Sequence, residues 1–229
     1  MQAIVLAGGF GTRLRSVVPD LPKPLAPVAG RPFLAILLED LARHGFSSVV
    51  LSVGYRHELI EAEFGDRFAG LPLRYAVEDK PLGTGGAVRL ALRQCTADEV
   101  FVLNGDSHVE LDYAAMREAH HAASARITVC IAGVADAARY GSVRLHDGFL
   151  IGFSEKGAGG AGQINAGVYL LARNLLEGAE LPEVFSFERD ILAARIEQLH
   201  PLAFRAHAEF IDIGVPEDYA RAQRLFARA

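Results

Sequence analysis

Apolar residues along the first half of the chain follow two alternating patterns. Short unbroken apolar runs have the length of buried strands, and between them apolar residues recur at the three- and four-residue spacing that is typical of helices. The predicted strands are residues 3–7, 49–53, 73–77 and 100–103, and the predicted helices cover 33–41, 59–68 and 85–92. Such alternation predicts an α/β fold with a mainly parallel sheet and helices on both faces.

The pattern changes in the second half, where strands follow one another with little helix between them. Asp147-Gly148 predicts a tight hairpin turn, residues 158–162 predict a flexible glycine-rich surface loop, and Pro216 suits the first turn of a helix. The predicted strands are 127–134, 143–146, 149–153 and 168–171, and the predicted late helices are 186–199 and 216–227. We expect these strands to extend the sheet and to form the wall of a second pocket.

The composition narrows the class of protein. The chain has 229 residues, enough to bury a substantial core, and its net charge of −5 argues against a nucleic-acid partner. No apolar stretch reaches membrane-spanning length, and the N-terminus lacks the pattern of a secretory signal, so neither a membrane partner nor export is predicted. Cys95 and Cys130 stand alone among apolar residues. This favours two buried thiols in a cytoplasmic protein over a disulfide or a metal site.

A glycine-rich loop follows the first predicted strand. Gly8, Gly9 and Gly11 let backbone amides approach an anion. Arg13 and Lys23 add two cations, and a proline on each side of the lysine restricts its backbone. Amide donors, a forked guanidinium and a point charge together suit a polyphosphate. The loop is neither a Rossmann fingerprint nor a Walker loop, and the simpler interpretation is a glycine turn with two surface cations.

Two aspartates are candidates for a metal site. Asp106 follows a predicted buried strand and a glycine, although an aspartate at a strand end is as often a turn former or helix cap. Asp212 alternates with bulky apolar residues, and a carboxylate in such a strand is costly to bury without a partner. Mg²⁺ is a natural partner, because it takes one or two carboxylates together with the phosphate oxygens of a substrate.

These motifs together resemble those of the sugar-1-phosphate nucleotidyltransferases. The resemblance rests on Leu6-Ala7-Gly8-Gly9-Phe10-Gly11-Thr12-Arg13-Leu14, Leu21-Pro22-Lys23-Pro24-Leu25, Leu103-Asn104-Gly105-Asp106 and Phe210-Ile211-Asp212-Ile213-Gly214. It implies a single Rossmann-like nucleotidyltransferase domain of the GT-A-like type over residues 1–229. Within that domain it implies a nucleotide-binding part over about residues 1–110 and a sugar-phosphate-binding part over about residues 111–229.

The resemblance also implies roles for individual residues. Asp106 and Asp212 would bind Mg²⁺, and Arg13, Lys23, Asp106 and Lys156 would be catalytic. The implied nucleotide-binding residues are Leu6, Ala7, Gly8, Gly9, Gly11, Thr12, Arg13, Lys23, Glu78, Gly83, Thr84, Asn104 and Asp106. The implied sugar-phosphate contacts are Tyr140, Gly141, Glu155, Lys156, Asn165 and Gly167, although Glu155-Lys156 alone would be an ordinary surface charge pair.

Glu78 bears on the choice of base, because relatives that use uridine or thymidine nucleotides tend to carry glutamine there. A carboxylate only accepts hydrogen bonds, and guanine presents two adjacent donors, so GTP is the expected nucleotide. The alternative is a solvated glutamate in a charged turn. Gly83-Thr84-Gly85-Gly86 and Arg15-Ser16-Val17-Val18 most resemble the bacterial D-glycero-α-D-manno-heptose 1-phosphate guanylyltransferases.

Several alternatives to this expectation stay open at the level of the sequence. Mannose 1-phosphate guanylyltransferases are the near alternative, and UTP, dTTP or CTP are the other candidate nucleotides. An inactive regulatory relative is the alternative outside enzymes, although the retention of Arg13, Lys23, Asp106, Lys156 and Asp212 argues against it. The oligomeric state is open, and a homo-oligomer is compatible with the sequence.

Overall fold

The computed structural model describes residues 1–9, 14, 17–154 and 159–227. Every structural statement below concerns these residues. Gly11, Thr12, Arg13, Glu155 and Lys156 lie outside them, so their roles stay predictions from the sequence.

The described chain alternates between strands and helices in its first half and is richer in strands in its second. The strands are β1 (Gln2–Leu6), β2 (Pro27–Val28), β3 (Arg31–Pro32), β4 (Ser48–Val53), β5 (Arg67–Phe68), β6 (Leu71–Val77), β7 (Glu99–Asn104), β8 (Ser107–Val109), β9 (Ile127–Val134), β10 (Val143–His146), β11 (Phe149–Phe153), β12 (Gly162–Ala172), β13 (Leu202–Ala206) and β14 (Phe210–Asp212). The helices are α1 (Phe33–Arg43), α2 (His57–Phe64), α3 (Gly83–Leu92), α4 (Tyr113–Ala122), a π-helix (Phe187–Ala193), α5 (Ile196–Leu199) and α6 (Pro216–Phe226), and a short 3₁₀-helix covers Lys23–Leu25.

Strands from both halves of the chain enter one large mixed sheet. Its order is β10-β11-β13-β9-β12-β7-β1-β4-β6-β5, and the block β7-β1-β4-β6 is entirely parallel. The strands added by the second half are mostly antiparallel, with β13 parallel to β9. The α/β fold with a mixed sheet is therefore as predicted, and its parallel block comes from the β-α alternation of the first half.

Helices cover both faces of this sheet, because successive residues of a buried strand point to opposite sides. In β1, Ala3 and Val5 pack into one core with the apolar faces of α1, α2 and α4. Ile4 packs into a second core with α3 and the π-helix. Continuous apolar runs, rather than alternation, are what a strand buried on both faces requires.

The turns and ends of several elements follow from local chemistry. Asp147 and Gly148 join β10 and β11 with φ values of 48° and 83°, as the predicted two-residue hairpin turn requires. α4 begins at Asp112, whose side chain accepts a hydrogen bond from the Ala115 amide. Cys95 and Cys130 are buried free thiols, as predicted.

Three predictions about elements were wrong. The helix predicted over 59–68 ends at Phe64, because Gly65 adopts a positive φ and Phe68 lies in β5. The helix predicted over 186–199 divides into the π-helix and α5. Gly162 is the first residue of β12 rather than part of a loop, since it pairs with Val134.

Candidate active site

The carboxyl ends of the parallel strands surround a cavity of about 520 Å³. Leu6 at the end of β1 lies in register with Ser52 of β4 and Asn104 of β7, so the loops that follow these strands meet above the same edge. All the described residues of the predicted nucleotide site line the cavity: Leu6, Ala7, Gly8, Gly9, Lys23, Glu78, Gly83, Thr84, Asn104 and Asp106.

Two glycines let the segment that carries Asn104 and Asp106 pack closely. The Gly105 amide donates to the carbonyl of Leu6, and a Cβ on Gly105 would lie 2.6 Å from that oxygen. Gly167 has a φ of +71°, and a side chain there would overlap the amide group of Asn104. The glycines therefore set the position of the strand end that presents Asp106.

A two-stranded antiparallel sheet brings the two predicted metal ligands to one place. β14 pairs with β8 so that Asp212 lies opposite Ser107, next to Asp106 in the chain. The Ile213 amide donates to the carbonyl of Asp106 and holds the two segments together. The sequence suggested each aspartate separately, and this pairing is what joins them.

Lys23 lies between the two carboxylates. Its Nζ is 2.6 Å from Asp106 Oδ2 and 3.7 Å from Asp212 Oδ1. The lysine begins the 3₁₀-helix and is flanked by Pro22 and Pro24, so its backbone is restricted and its side chain is only 10% exposed. The site therefore contains a nearly buried cation with two acidic partners.

The environment of Asp212 favours a second cation. Burial raises its pKa and the nearby charge of Asp106 raises it further, while Lys23, the Gly214 amide and Arg139 oppose the shift. A carboxylate with a raised pKa next to another carboxylate is short of positive charge. No group of three or more metal-ligating side chains occurs among the described residues. Two carboxylates nevertheless suit a hard divalent cation, because such an ion can take its remaining ligands from the oxygens of a substrate.

Glu78 follows β6 and lines the cavity with one oxygen already bound. The Leu82 amide donates to its Oε2 at 2.9 Å, which closes the turn over residues 78–82. Burial raises the pKa of Glu78, and the hydrogen bond from the Leu82 amide opposes this shift. The side chain is therefore half-buried and partly committed to its own loop, with acceptor capacity left for a ligand.

The glycines of residues 83–86 have a packing role that the sequence did not reveal. Side chains on Gly83 and Gly85 would overlap the backbone and ring of Phe185, and one on Gly86 would lie 2.9 Å from the Glu183 carbonyl. Gly83 and Thr84 also line the cavity, so the same segment meets the predicted site and the chain before the π-helix.

The described residues of the predicted sugar site make internal contacts. Tyr140 donates to Asp218 at the start of α6, and burial raises the pKa of Tyr140 to about 12. Asn165 donates to the Tyr169 hydroxyl and accepts from the Gly167 amide. Asn165 and Tyr169 flank an irregularity in the pairing of β12 with β9. None of these sugar-side residues lines the main cavity.

Arg139 and Glu188 are two charged residues near the site that sequence reasoning missed. Arg139 bonds to Asp218 at 2.5 Å and lies 4.0 Å from Asp212. Its place before Tyr140-Gly141 was the available signal. Glu188 lines the cavity, although nothing in the sequence around it distinguished it from a surface glutamate.

Together, the strand-end cavity, the paired aspartates and the buried lysine define an α/β enzyme that handles a phosphorylated ligand. The chain belongs to the nucleotidyl transferase family, whose sequence model matches residues 2–228. This membership confirms the resemblance found in the motifs. None of the helices in the described part of the chain is long and apolar enough to cross a membrane.

Individual relatives agree with the expected branch of the family. A D-glycero-α-D-manno-heptose 1-phosphate guanylyltransferase of Aneurinibacillus thermoaerophilus is 43% identical over 98% of this chain and 97% of its own length. A mannose-1-phosphate guanylyltransferase of Mycobacterium tuberculosis is 34% identical over 100% of this chain but only 65% of its own length.

The crystal structure of HddC from Yersinia pseudotuberculosis is also similar. It superposes with a TM-score of 0.88 at 37% identity, covering 98% of this chain and 99% of HddC, and a complex of HddC with GMP-PN has also been solved.

Proposed function

We propose that this nucleotidyltransferase transfers GMP from GTP to D-glycero-α-D-manno-heptose 1-phosphate, giving the GDP-sugar and pyrophosphate. The observation that carries the proposal is the placement of Lys23, Asp106 and Asp212 beside the cavity that Glu78 also lines. The similarity of heptose 1-phosphate guanylyltransferases over nearly the full chain supports this choice of substrates.

The nucleotide binds, in this proposal, at the carboxyl ends of the parallel strands. Amides of the loop that begins at Gly8 and Gly9, together with Arg13, bind the triphosphate, and Glu78 accepts hydrogen bonds from the guanine edge. Because the Leu82 amide already donates a hydrogen bond to one Glu78 oxygen, the base would donate to that same oxygen or to the other one. Gly11 and Thr12 complete the loop as predicted from the sequence.

Asp106 and Asp212 would hold Mg²⁺. The fit rests on two carboxylates that face one lysine, and on the raised pKa of Asp212, which a cation would lower. When bound, the ion would neutralise phosphate charge next to the α-phosphorus. Lys23 donates a hydrogen bond to Asp106, lies 3.7 Å from Asp212, and would also offset the charge of the substrate phosphates.

The sugar 1-phosphate binds on the side formed by the second half of the chain. Lys156 is assigned to its phosphate and Glu155 to a hydroxyl, both from the sequence. The Asn165 side chain is held by Tyr169 and Gly167, and the Tyr140 hydroxyl by Asp218, so these residues and Gly141 would shape the sugar side. The division into parts at about residue 110, a cytoplasmic location and a homo-oligomeric state stay predictions.

The chemistry asks for positioning and charge rather than an activated side chain. A sugar phosphate has a second pKa of about 6, by analogy with phosphorylated side chains, so it is largely a dianion at neutral pH and attacks the α-phosphorus itself. Pyrophosphate leaves in line with the attack. Lys23, Lys156 and Arg13 offset the charge of the two polyanionic substrates. The alignment of these substrates supplies the rate enhancement.

One assay tests the proposal. Pyrophosphate release is measured for wild-type protein with GTP, UTP, CTP, dTTP and ATP against heptose 1-phosphate, mannose 1-phosphate and glucose 1-phosphate. We expect the highest kcat/KM for GTP with heptose 1-phosphate and loss of turnover when divalent ions are chelated. A clear preference for mannose 1-phosphate would indicate a mannose 1-phosphate guanylyltransferase. No pyrophosphate release with any combination of nucleotide and sugar phosphate would indicate an inactive relative.

A further inference from the structure

Glu188 adds a carboxylate to the cavity that has no role in the proposed function above. It lies in the first turn of the π-helix and lines the cavity together with Thr84, Lys23 and Asp106. π-helical segments are rare and frequently occur at functional sites. The position of Glu188 is therefore that of a ligand-binding residue.

The hydrogen-bond partners found for Glu188 are hydroxyl groups. Thr84 donates to its Oε2 at 2.7 Å, and Ser186 donates to the same oxygen at 3.2 Å. Buried Tyr169 packs against Phe187, the residue before Glu188 in the chain, with the ring centroids 5.2 Å apart. Burial and the charge of Glu188 raise the pKa of Tyr169 well above its ordinary value. Among the described residues, no lysine, arginine or histidine forms an ion pair with Glu188.

This arrangement suits a neutral ligand group. A carboxylate accepts about four hydrogen bonds, so two hydroxyl donors on one oxygen leave capacity for more. Because no described cation pairs with it, the carboxylate repels phosphate and is complementary to a hydroxyl of the uncharged part of a substrate. Glu188 also lies near the predicted sugar side, since Tyr169, which packs against the neighbouring Phe187, accepts a hydrogen bond from Asn165 at 2.8 Å.

We propose that Glu188 accepts a hydrogen bond from a ring hydroxyl of the sugar 1-phosphate and so selects and orients the sugar. The proposal rests on the proposed function, because it takes a sugar 1-phosphate as the second substrate. Thr84 and Ser186 hold the carboxylate in place, so that the sugar hydroxyl meets an acceptor already oriented for it.

Single-hydroxyl deletion tests the contact directly. Wild type and Glu188→Gln are assayed with GTP and with mannose 1-phosphate, its 2-, 3- and 4-deoxy analogues, and heptose 1-phosphate. We expect wild type to lose roughly tenfold or more in kcat/KM with one deoxy analogue. Glu188→Gln should lose a similar factor with the parent sugars and show less than about a twofold further loss with that analogue.

The matched control is Glu183→Gln, which removes an exposed carboxylate paired with Lys80 in the chain leading to the π-helix. It should keep the wild-type discrimination among the analogues, because exposed pairs contribute little. Thermal unfolding of each variant checks the fold. If Glu188 were purely structural, Glu188→Gln would lower kcat/KM relative to wild type by the same factor with the parent sugars and with every deoxy analogue. That result would overturn the proposal.

The nucleotide supplies the other hydroxyls that Glu188 could meet. If 2′-deoxy-GTP or 3′-deoxy-GTP, rather than a deoxy sugar, cancels the effect of Glu188→Gln, the residue binds ribose and the proposal is wrong. Failure of the proposed function is a separate result, since it shows as wild type preferring another nucleotide or sugar. Wild type and Glu188→Gln are then compared with the nucleotide and sugar 1-phosphate that wild type prefers, and with the deoxy analogues of that sugar.

Discussion

Asp212, the proposed metal ligand, has a buried carboxylate that is costly to keep charged. Its carboxylate is mostly buried, and both burial and Asp106 raise its pKa above the ordinary value of 3.8. The folded state therefore binds a proton more tightly than the unfolded chain does. By linkage, the contribution of Asp212 to stability is fully present below pH 3.8 and is lost as the pH rises through the raised pKa.

Asp212→Asn is expected to separate stability from activity. The amide oxygen can keep the bond from the Gly214 amide, and the variant lacks the buried charge. The unfolding temperature at pH 7 should match or exceed that of wild type, and the difference should disappear near pH 3.8, whereas turnover should fall on the order of 100-fold or more. Calorimetry between pH 3.5 and pH 8, chosen to span the ordinary carboxyl pKa, checks this.

Divalent ions provide the control for this interpretation. If Asp212 binds the metal, adding Mg²⁺ should raise the unfolding temperature of wild type and leave that of Asp212→Asn nearly unchanged. An equal response of the two proteins would remove Asp212 from the metal site.

Glu78→Gln is expected to relax the choice of base. The glutamine oxygen can keep the hydrogen bond from the Leu82 amide, which leaves its NH₂ group to face the two donors of guanine. The GTP:UTP ratio of kcat/KM should fall roughly tenfold or more. Glu63→Gln, an exposed position of α2, should leave the ratio unchanged. A constant ratio in Glu78→Gln would mean that Glu78 only closes its turn.

At the scale of elements, the junction between α3 and the chain before the π-helix decides the shape of the cavity wall. The Gly85 amide donates to the Phe185 carbonyl, the Phe185 amide donates to Leu82, and the Phe187 amide donates to the Thr84 hydroxyl. These bonds hold the N-terminus of α3 and the segment containing Glu188 together. The glycines permit this approach because they lack a Cβ.

Gly85→Ala is expected to disturb this junction. The new methyl group would overlap the buried Phe185 ring, and overpacking of this kind costs about 1–3 kcal/mol of unfolding free energy. We also expect a raised KM for both substrates. Gly133→Ala is the matched control, because a Cβ at that exposed strand position has no neighbour within 4 Å. Urea unfolding compares the two, and equal midpoints would contradict the packing role.

At the scale of the whole molecule, the two halves of the chain form adjacent blocks of one continuous sheet. β12, from the second half, pairs with β7 from the first, and β14 pairs with β8 in the small two-stranded sheet. Backbone hydrogen bonds therefore join the two halves at both places.

A sheet shared by both halves predicts a single unfolding transition. Far-UV circular dichroism, which reports the whole sheet, should give the same urea midpoint as tyrosine fluorescence. The chain suits this comparison because it contains six tyrosines and no tryptophan. Two separated transitions would instead show that residues 1–110 and 111–229 unfold as independent units.

Much of this architecture could be predicted from local patterns. Buried parallel strands read as unbroken apolar runs, and the strands of the parallel block lie within two residues of their predicted limits. Elements with weak patterns were missed, among them α4, β8 and β13. In α4 only Tyr113, Met116 and His120 are buried, and β8 is three residues long, so neither element carries a strong apolar period.

The sequence by itself determined the family, the glycine loop and the identities of the charged residues, because these depend on residue types at close spacing. Only the tertiary structure decided which charged side chains contact one another. Pairing of β8 with β14 joins Asp106 to Asp212 across more than a hundred residues, and Lys23 enters between them. Glu188 lines the cavity for the same reason, since the fold brings it to Thr84. Contacts of this kind depend on packing between distant segments, which no local pattern encodes.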